Sequence, residues 1–396
     1  MTQEHTILLK NVKVYTGEEV IEDGFLLVKG HQIYGVGLMK DCPPVESTTN
    51  TLILDKNSTV LPGFIDLHIH GAAGADTMDA THDALQTISS SLPKEGTTSY
   101  LPTTMTTSKH AIENALQSIA SYMTDENEPG KAEVLGAHLE GPFLSPNRAG
   151  AQHPDHIMIP QVELFKRWNE LANGHIKVVT LAPEQEGGLE LVSYLFDIGI
   201  VPSIGHSDAT YEQTVQSIKA GVKQATHLYN QMRPMHHREP GVVGAVLLHD
   251  EVKCEVIADG IHSHPDMVKF AYRNKGAEGL LLITDAMRAK CLGKGTYDLG
   301  GQEVIVDDHQ AVLADGTLAG SILKLKDAAS NMMAFTDCSL HDIVQMASVN
   351  PAKQLNMYQR KGSLHLGKDA DFIVLNDKGD IELTFCRGKV AYKKGE

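Results

Sequence analysis

The chain is expected to fold as an α/β protein: a (β/α)8 TIM-type barrel over residues 60–359, joined to a small β-sandwich domain formed by the two chain ends, residues 1–59 and 360–396. Three observations lead there. Eight short apolar runs alternate with amphipathic segments of helical period through the middle of the chain, the pattern of repeated β-α units that close into a barrel. Both ends read instead as short strands between glycine-bearing turns, and each is too small to bury a core alone, so the two should pair. Side chains able to bind metals recur at the ends of five of the eight runs, the face on which a barrel carries its site.

The N-terminal strands are expected at Thr6 to Tyr15, Gly24 to Lys29, Gln32 to Val36 and Thr51 to Asp55, punctuated by Gly17, Gly30 and the Cys42-Pro43-Pro44 turn. The eight barrel runs are Val60 to His70, Thr98 to Pro102, Val134 to Glu140, Ile176 to Ala182, Ile200 to His206, Gln224 to His227, Cys254 to Asp259 and Leu280 to Asp285. Helices are expected between most of them, at His82 to Lys94, Lys109 to Met123, Gln161 to Leu171, Leu189 to Ile198 and Glu212 to Ala220. Lys324 to Phe335 and Leu340 to Val349 close the barrel. The C-terminal strands follow at Asp371 to Leu375, Ile381 to Phe385 and Lys389 to Tyr392.

The first barrel run ends Phe64-Ile65-Asp66-Leu67-His68-Ile69-His70-Gly71. Residues two apart on a strand share a face, so His68 and His70 leave the backbone together. Gly71 lets the chain turn away at once, which puts the pair at the mouth of the sheet. A solvated histidine pair on an exposed strand is the competing reading, and the apolar neighbours disfavour it. The third run closes on His138-Leu139-Glu140, the fifth on Gly205-His206-Ser207, the sixth on Thr226-His227 and the eighth on Thr284-Asp285. Parallel strands end together, so His68, His70, Glu140, His206, His227 and Asp285 should converge as donors suited to zinc, iron(II) or similar ions. Glu140 has two oxygens and could bridge two metals, His68 and His70 completing one position and His206 and His227 the other. Asp285 is read as the general base that takes a proton from water activated by the metal and returns it to the leaving group, with a further metal ligand as its alternative role. His138 shares the face of Glu140 and is read as support for the ligands.

Composition bounds the partners. The 396 residues are 42% hydrophobic and 21% charged, ordinary for a globular enzyme. Lys and Arg number 34 against 50 acids, a formal charge of −16, which argues against nucleic acid or an anionic membrane as partner. The five cysteines are scattered and read as free buried thiols. Met1-Thr2-Gln3-Glu4-His5 lacks the basic and apolar regions of a signal peptide, so a cytoplasmic protein is expected. Ser207 and Ser321 do not lie in Gly-x-Ser-x-Gly turns, which leaves no serine nucleophile of that type.

These strings, with Gly96-Thr97-Thr98, Thr226-His227-Leu228-Tyr229-Asn230, Ala258-Asp259-Gly260-Ile261-His262 and Leu318-Ala319-Gly320-Ser321, resemble the amidohydrolase superfamily and, within it, the deacetylases of N-acetylglucosamine 6-phosphate. The resemblance covers nearly the whole chain. It implies hydrolysis of the acetamide to glucosamine 6-phosphate and acetate, with two divalent ions, zinc or iron, bridged by Glu140. It also implies that His153 helps polarise the acetamide carbonyl, and that Asn230, Gln231 and His262 contact the phosphate. Arg238 would join them from the second subunit of a homodimer. The fourth run ends Thr180-Leu181-Ala182-Pro183-Glu184 without the bridging lysine of many superfamily members, which favours Glu140 as the bridge. An amidohydrolase of another N-acyl amino sugar or of a cyclic amide, and a scaffold without catalysis on the same barrel, are the alternatives.

Overall fold

A computed structural model of the chain describes residues 5–44, 49–52, 54 and 57–396. The N-terminal residues read for a signal, Met1 to Glu4, lie outside the described residues, as do positions 53 and 55 of the strand expected at Thr51 to Asp55; the part of that strand described is Asn50–Leu52.

Eight parallel strands form the barrel: β1 (Phe64–Ile69), β2 (Thr97–Pro102), β3 (Ala137–Glu140), β4 (Ile176–Leu181), β5 (Val201–Ile204), β6 (Gln224–Ala225), β7 (Lys253–Val256) and β8 (Leu280–Leu282). Strands β3 to β8 are paired in sequence order and β1 pairs with β2. Bridges between Thr103 and His138 and between Ile69 and Ala286 close the ring. The strands are buried almost throughout, which is why they read as continuous apolar runs.

Helices α1 (His82–Ser91), α2 (Lys109–Asp125), α3 (Val162–Leu171), α4 (Gly188–Asp197) and α5 (Tyr211–Ala220) pack outside, close to their expected limits. Thr81, Ser108 and Thr210 cap the first, second and fifth through side-chain oxygens. Helix α6 (Gly241–Leu248) escaped the sequence reading because it is buried from Gly241 to Leu247 and has no polar stripe to give it a period. Helix α7 (Pro265–Lys275) and α8 (Leu325–Thr336) follow. The segment between β8 and α8, unassigned from sequence, holds a three-stranded antiparallel sheet, Gly295–Leu299, Gln302–Val306 and Ala311–Val312.

The two chain ends pair into one eight-stranded sheet, ordered Lys389–Lys393, Ile381–Cys386, Phe372–Leu375, Thr59–Pro62, Thr6–Tyr15, Val20–Lys29 and Gln32–Leu38, with Asn50–Leu52 beside Thr6–Tyr15. Alternate residues of Thr6–Tyr15 serve opposite faces. Ile7 and Leu9 pack with Phe372 and Phe385, whereas Leu8 packs with Phe25 and Leu27.

Two expected strands are divided: Val134 to Glu140 splits into Glu133–Val134, paired with β2, and Ala137–Glu140, paired with β4. The run Val60 to His70 breaks at Gly63, so that Thr59–Pro62 pairs antiparallel with Phe372–Leu375 while Phe64 onward enters the barrel. A Cβ at Gly63 would lie 2.2 Å from the Thr98 hydroxyl oxygen, so only glycine passes there. The thiols also differ from expectation: Cys254, Cys338 and Cys386 are buried, but Cys291 is exposed and Cys42 half-buried. No helix among the described residues is long and apolar enough to cross a membrane.

Candidate active site

The C-terminal ends of the barrel strands surround a cavity of about 380 Å³ whose lining includes His70, Glu140, His206, His227 and Asp285, with His68 buried beneath them. His68 and His70 leave β1 on one face, and Gly71 opens a tight hairpin with Ala75–Asp76 directly afterwards. A Cβ on Gly71 would stand 2.3 Å from the Ala75 carbonyl oxygen. Three of the converging residues, His206 (φ +48°), His227 (φ +33°) and Asp285 (φ +49°), occupy the left-handed region just past their strands. Each costs on the order of 1 kcal/mol or more in backbone strain, which the surrounding hydrogen bonds must hold in place. Asp285 N–H donates to the His68 carbonyl at 2.8 Å, and Ser207 N–H to Gln231 at 3.1 Å.

Two groups of donors face the cavity, His68, His70 and Asp285, and Glu140, His206 and His227, and a third, His68, His138 and Glu255, lies behind His68, with the ligand atoms of each within 4.8 Å of one another. Glu140 reaches both cavity-facing groups. Its Oε1 lies 3.3 Å from His206 Nε2 and 3.2 Å from His227 Nε2, and its Oε2 lies 3.3 Å from His70 Nε2. Asp285 Oδ1 stands 3.1 Å from His70 Nε2 and 3.3 Å from His68 Nε2.

The ring nitrogens facing away decide what these groups can hold. His206 Nδ1 meets the Arg148 carbonyl at 2.8 Å and His70 Nδ1 the Thr103 carbonyl at 3.2 Å. Carbonyls only accept, so both rings carry their proton on Nδ1 and turn the Nε2 lone pair inward. The Nε2 atoms of His206 and His227 face one another at 3.1 Å, and His68 Nε2 is buried without a hydrogen bond. Lone pairs aimed at lone pairs and carboxylates need a positive charge between them. Protons and divalent cations compete for that place. Burial pushes the His70 imidazole down, but Asp285 and Glu140 outweigh it and carry it up to about 9. Burial likewise raises Asp285, and the imidazoles of His68 and His70 reverse it, to about 2. The donor set fits divalent cations.

Around this centre the sequence reading meets mixed outcomes. Asn230, Gln231 and His262 line the cavity. His153 does not: it is half-buried, its ring 4.9 Å from that of His156, while Gln152 faces inward and donates to Glu140 Oε2 at 2.8 Å. The inward place on this loop is taken by Gln152, and His153, expected to help polarise the acetamide carbonyl, is not among the residues that line the cavity. Arg238 is exposed and its guanidinium touches His237 at 2.8 Å, outside the cavity of its own chain. Arg233 is taken up by Asp208 at 3.0 Å. His138 is pinned between the Leu67 carbonyl and the Thr180 hydroxyl, and burial drives its imidazole down to about 3. Glu184, at the end of the fourth run, binds Ser207 and the Asp208 amide.

Three contributors were missed. Gln152 is a buried polar residue on a loop, where sequence gives no direction, and Glu255 is a buried charge between Cys254 and Val256, which was the signal available for it. Asp259, whose Oδ2 lies 2.6 Å from His262 Nδ1, stood inside a quoted string without a role. The antiparallel insertion supplies a wall through Leu299 and the chain from Gly316 to Gly320.

Comparison with known proteins places these features among relatives. The amidohydrolase family profile matches residues 59–391. The chain is 47% identical over 388 residues to the N-acetylglucosamine-6-phosphate deacetylase of Bacillus subtilis (strain 168), covering 98% of this chain and 97% of that protein. It is 37% identical over 330 residues to the N-acetylgalactosamine-6-phosphate deacetylase of Escherichia coli O157:H7, covering 83% and 87%. Its fold is similar to a solved mutant form of the N-acetyl-D-glucosamine-6-phosphate deacetylase of Mycobacterium smegmatis in complex with N-acetyl-D-glucosamine-6-phosphate. That match has a TM-score of 0.90 and 30% identity, and covers 99% of this chain and 100% of that one.

Proposed function

Because the chain belongs to the amidohydrolase family, we propose that it hydrolyses the acetamide of N-acetylglucosamine 6-phosphate to glucosamine 6-phosphate and acetate. The observation that carries this reading is the division of Glu140 between two groups of inward-facing imidazoles at the floor of a cavity that Asn230, Gln231 and His262 also line.

His68 and His70 would hold one divalent ion and His206 and His227 the other, zinc or iron, with Glu140 between them. Such ions supply Lewis acidity and bring the pKa of water to about 7. Asp285 lines the cavity beside both β1 histidines and is the group that takes the proton of the attacking water and delivers it to the departing amine. Gln152 holds Glu140 by its amide, and that amide is oriented because its oxygen accepts the Thr106 N–H at 2.7 Å. Asn230, Gln231 and His262 receive the phosphate, and Arg238 completes that site from the second subunit of a homodimer. The exposure of Arg238 outside its own cavity supports this assignment. We also propose the division into a small β-sandwich domain, residues 1–59 and 360–396, and the barrel, residues 60–359, with the first boundary shifted to Gly63 because Thr59–Pro62 pairs within the end sheet.

Acetate release from N-acetylglucosamine 6-phosphate, its unphosphorylated form and its galacto epimer tests the reading. The 6-phosphate of the gluco sugar should have the highest kcat/KM. A preference for the galacto epimer, the substrate named for the Escherichia coli relative, would replace the sugar while keeping the reaction. Asp285→Asn should retain metal and fold yet lose about 10²–10⁴ in turnover, and near wild-type activity in that variant would remove Asp285 from the mechanism.

A further inference from the structure

Glu255 is a fully buried carboxylate in the middle of β7, where its neighbours Cys254 and Val256 are apolar and also buried. An interior charge is tolerated only when its oxygens are occupied. Glu255 Oε2 lies 3.0 Å from His68 Nδ1 and accepts the backbone N–H of His227 at 3.0 Å. Gln224 Nε2 donates to Oε1 at 2.6 Å. One carboxylate therefore touches a member of each cavity-facing donor group, across β1, β7 and the turn after β6.

We propose that Glu255 is a positioning residue for the metal centre, fixing the His68 ring and the His227 turn together. The proposal rests on the reading of the six converging side chains as that centre. A carboxylate accepts and does not donate, so the His68 nitrogen facing it carries hydrogen. That nitrogen is Nδ1, which commits Nε2 to the side where Asp285 and Glu140 converge. Among the described residues no other hydrogen-bond partner of His68 Nδ1 is seen: the ring packed edge-on against His68 at 4.6 Å is His138, whose nitrogens are engaged by the Leu67 carbonyl and the Thr180 hydroxyl. Gln224 stops the carboxylate from rotating. The same oxygen anchors the amide of His227, whose left-handed backbone turns Nε2 toward Glu140 and His206. Groups that orient metal-ligating histidines in this way are worth about 10- to 100-fold in metal affinity.

The test uses the full-length enzyme, wild type, Glu255→Gln and Glu255→Asp, with zinc affinity read by chelator competition and the His68 Nδ1 proton by ¹⁵N-histidine NMR. In the wild type Nδ1 should carry hydrogen both with and without zinc. Glu255→Gln should weaken zinc about 10- to 100-fold, with Glu255→Asp recovering part of the loss. Unchanged zinc affinity in Glu255→Gln overturns the proposal. So does a bare Nδ1 in the wild type, a measurement that stands even if the variant fails to fold. A wild-type enzyme that takes up no zinc or iron at all overturns the metal reading itself, which the Nδ1 measurement tells apart from failure of the hydrogen bond.

Discussion

Replacing Asp259 by asparagine tests how the cavity handles an anion. Asp259 Oδ1 accepts the N–H of Ile261 at 2.8 Å and of His262 at 2.9 Å, and Oδ2 lies 2.6 Å from His262 Nδ1. Two backbone donors claim the single oxygen an asparagine retains, so its NH₂ faces the imidazole. The His262 Nδ1 must then accept, and its proton moves to Nε2. With aspartate the ring can donate from both nitrogens at once, to Asp259 and to a phosphate. With asparagine it donates to the phosphate only as a neutral ring. A hydrogen bond to the phosphate from a ring that donates on both sides is exchanged for one from a neutral ring, the phosphate being charged in both, at a cost of about 0.5–2 kcal/mol. A loss of about 0.5–2 kcal/mol corresponds to about a 2- to 30-fold rise in KM. Steady-state kinetics on N-acetylglucosamine 6-phosphate and on the unphosphorylated sugar should show that rise for the first alone, with kcat little changed. An equal loss on both sugars, or a fall in kcat at constant KM, would refute the chain of reasoning from Asp259 through His262 to the phosphate.

Arg238→Ala should raise KM for the phosphorylated sugar only, and mixing it with Asp285→Asn should restore up to about a quarter of wild-type activity, because a mixed dimer holds one complete site; no recovery on mixing would place Arg238 outside its partner's cavity. Lys361 is buried against Glu133 (2.6 Å), Asp369 (3.0 Å) and Asp371, so Lys361→Met should cost about 3–5 kcal/mol in denaturant unfolding by leaving buried carboxylates uncompensated. Burial raises the Glu133 carboxyl, but Lys361, Arg360 and Arg387 outweigh it and hold it at about 2. Its contribution, about 3 kcal/mol, is complete above the ordinary glutamate range and lost as pH falls from about 4.5 toward 2. Asp371, raised by burial, works in the opposite direction. The stability gap between wild type and Glu133→Gln isolates the Glu133 share: it should narrow between pH 6 and pH 3, and a constant gap would contradict the assignment.

The barrel was legible because each unit is built from local contacts, and the alternation of buried runs with capped amphipathic helices survives in sequence. The converging ligands were legible for a related reason, since strand ends share a face whatever the loops do. Gln152 and His153 mark where that logic stops. Both lie on a loop, adjacent in sequence, and which one points inward is settled by the Thr106 amide and Glu140, contacts of separate units. Glu255 is the reverse case: a strand position whose partners, His68, Gln224 and His227, sit on other strands and turns. The insertion from Gly295 to Val312 has strands largely exposed on one side, and its small core borrows Met105 and Met287 from elsewhere. Helix α6 was hidden by its own burial.

The break at Gly63 has a bearing on when the enzyme can become active during its synthesis. Pro62 stands opposite Phe372 in the sheet register, and six residues after Pro62 comes His68. The strand that carries the first two histidines leaves the ribosome early, yet the segment that secures its entry to the barrel is made some three hundred residues later. A nascent chain can pair Thr59–Pro62 with Thr6–Tyr15 and β1 with β2 early, but it lacks the Phe372–Leu375 side of that junction until synthesis is nearly complete. Competence for metal should arrive late and abruptly, with the emergence of residues 372–385.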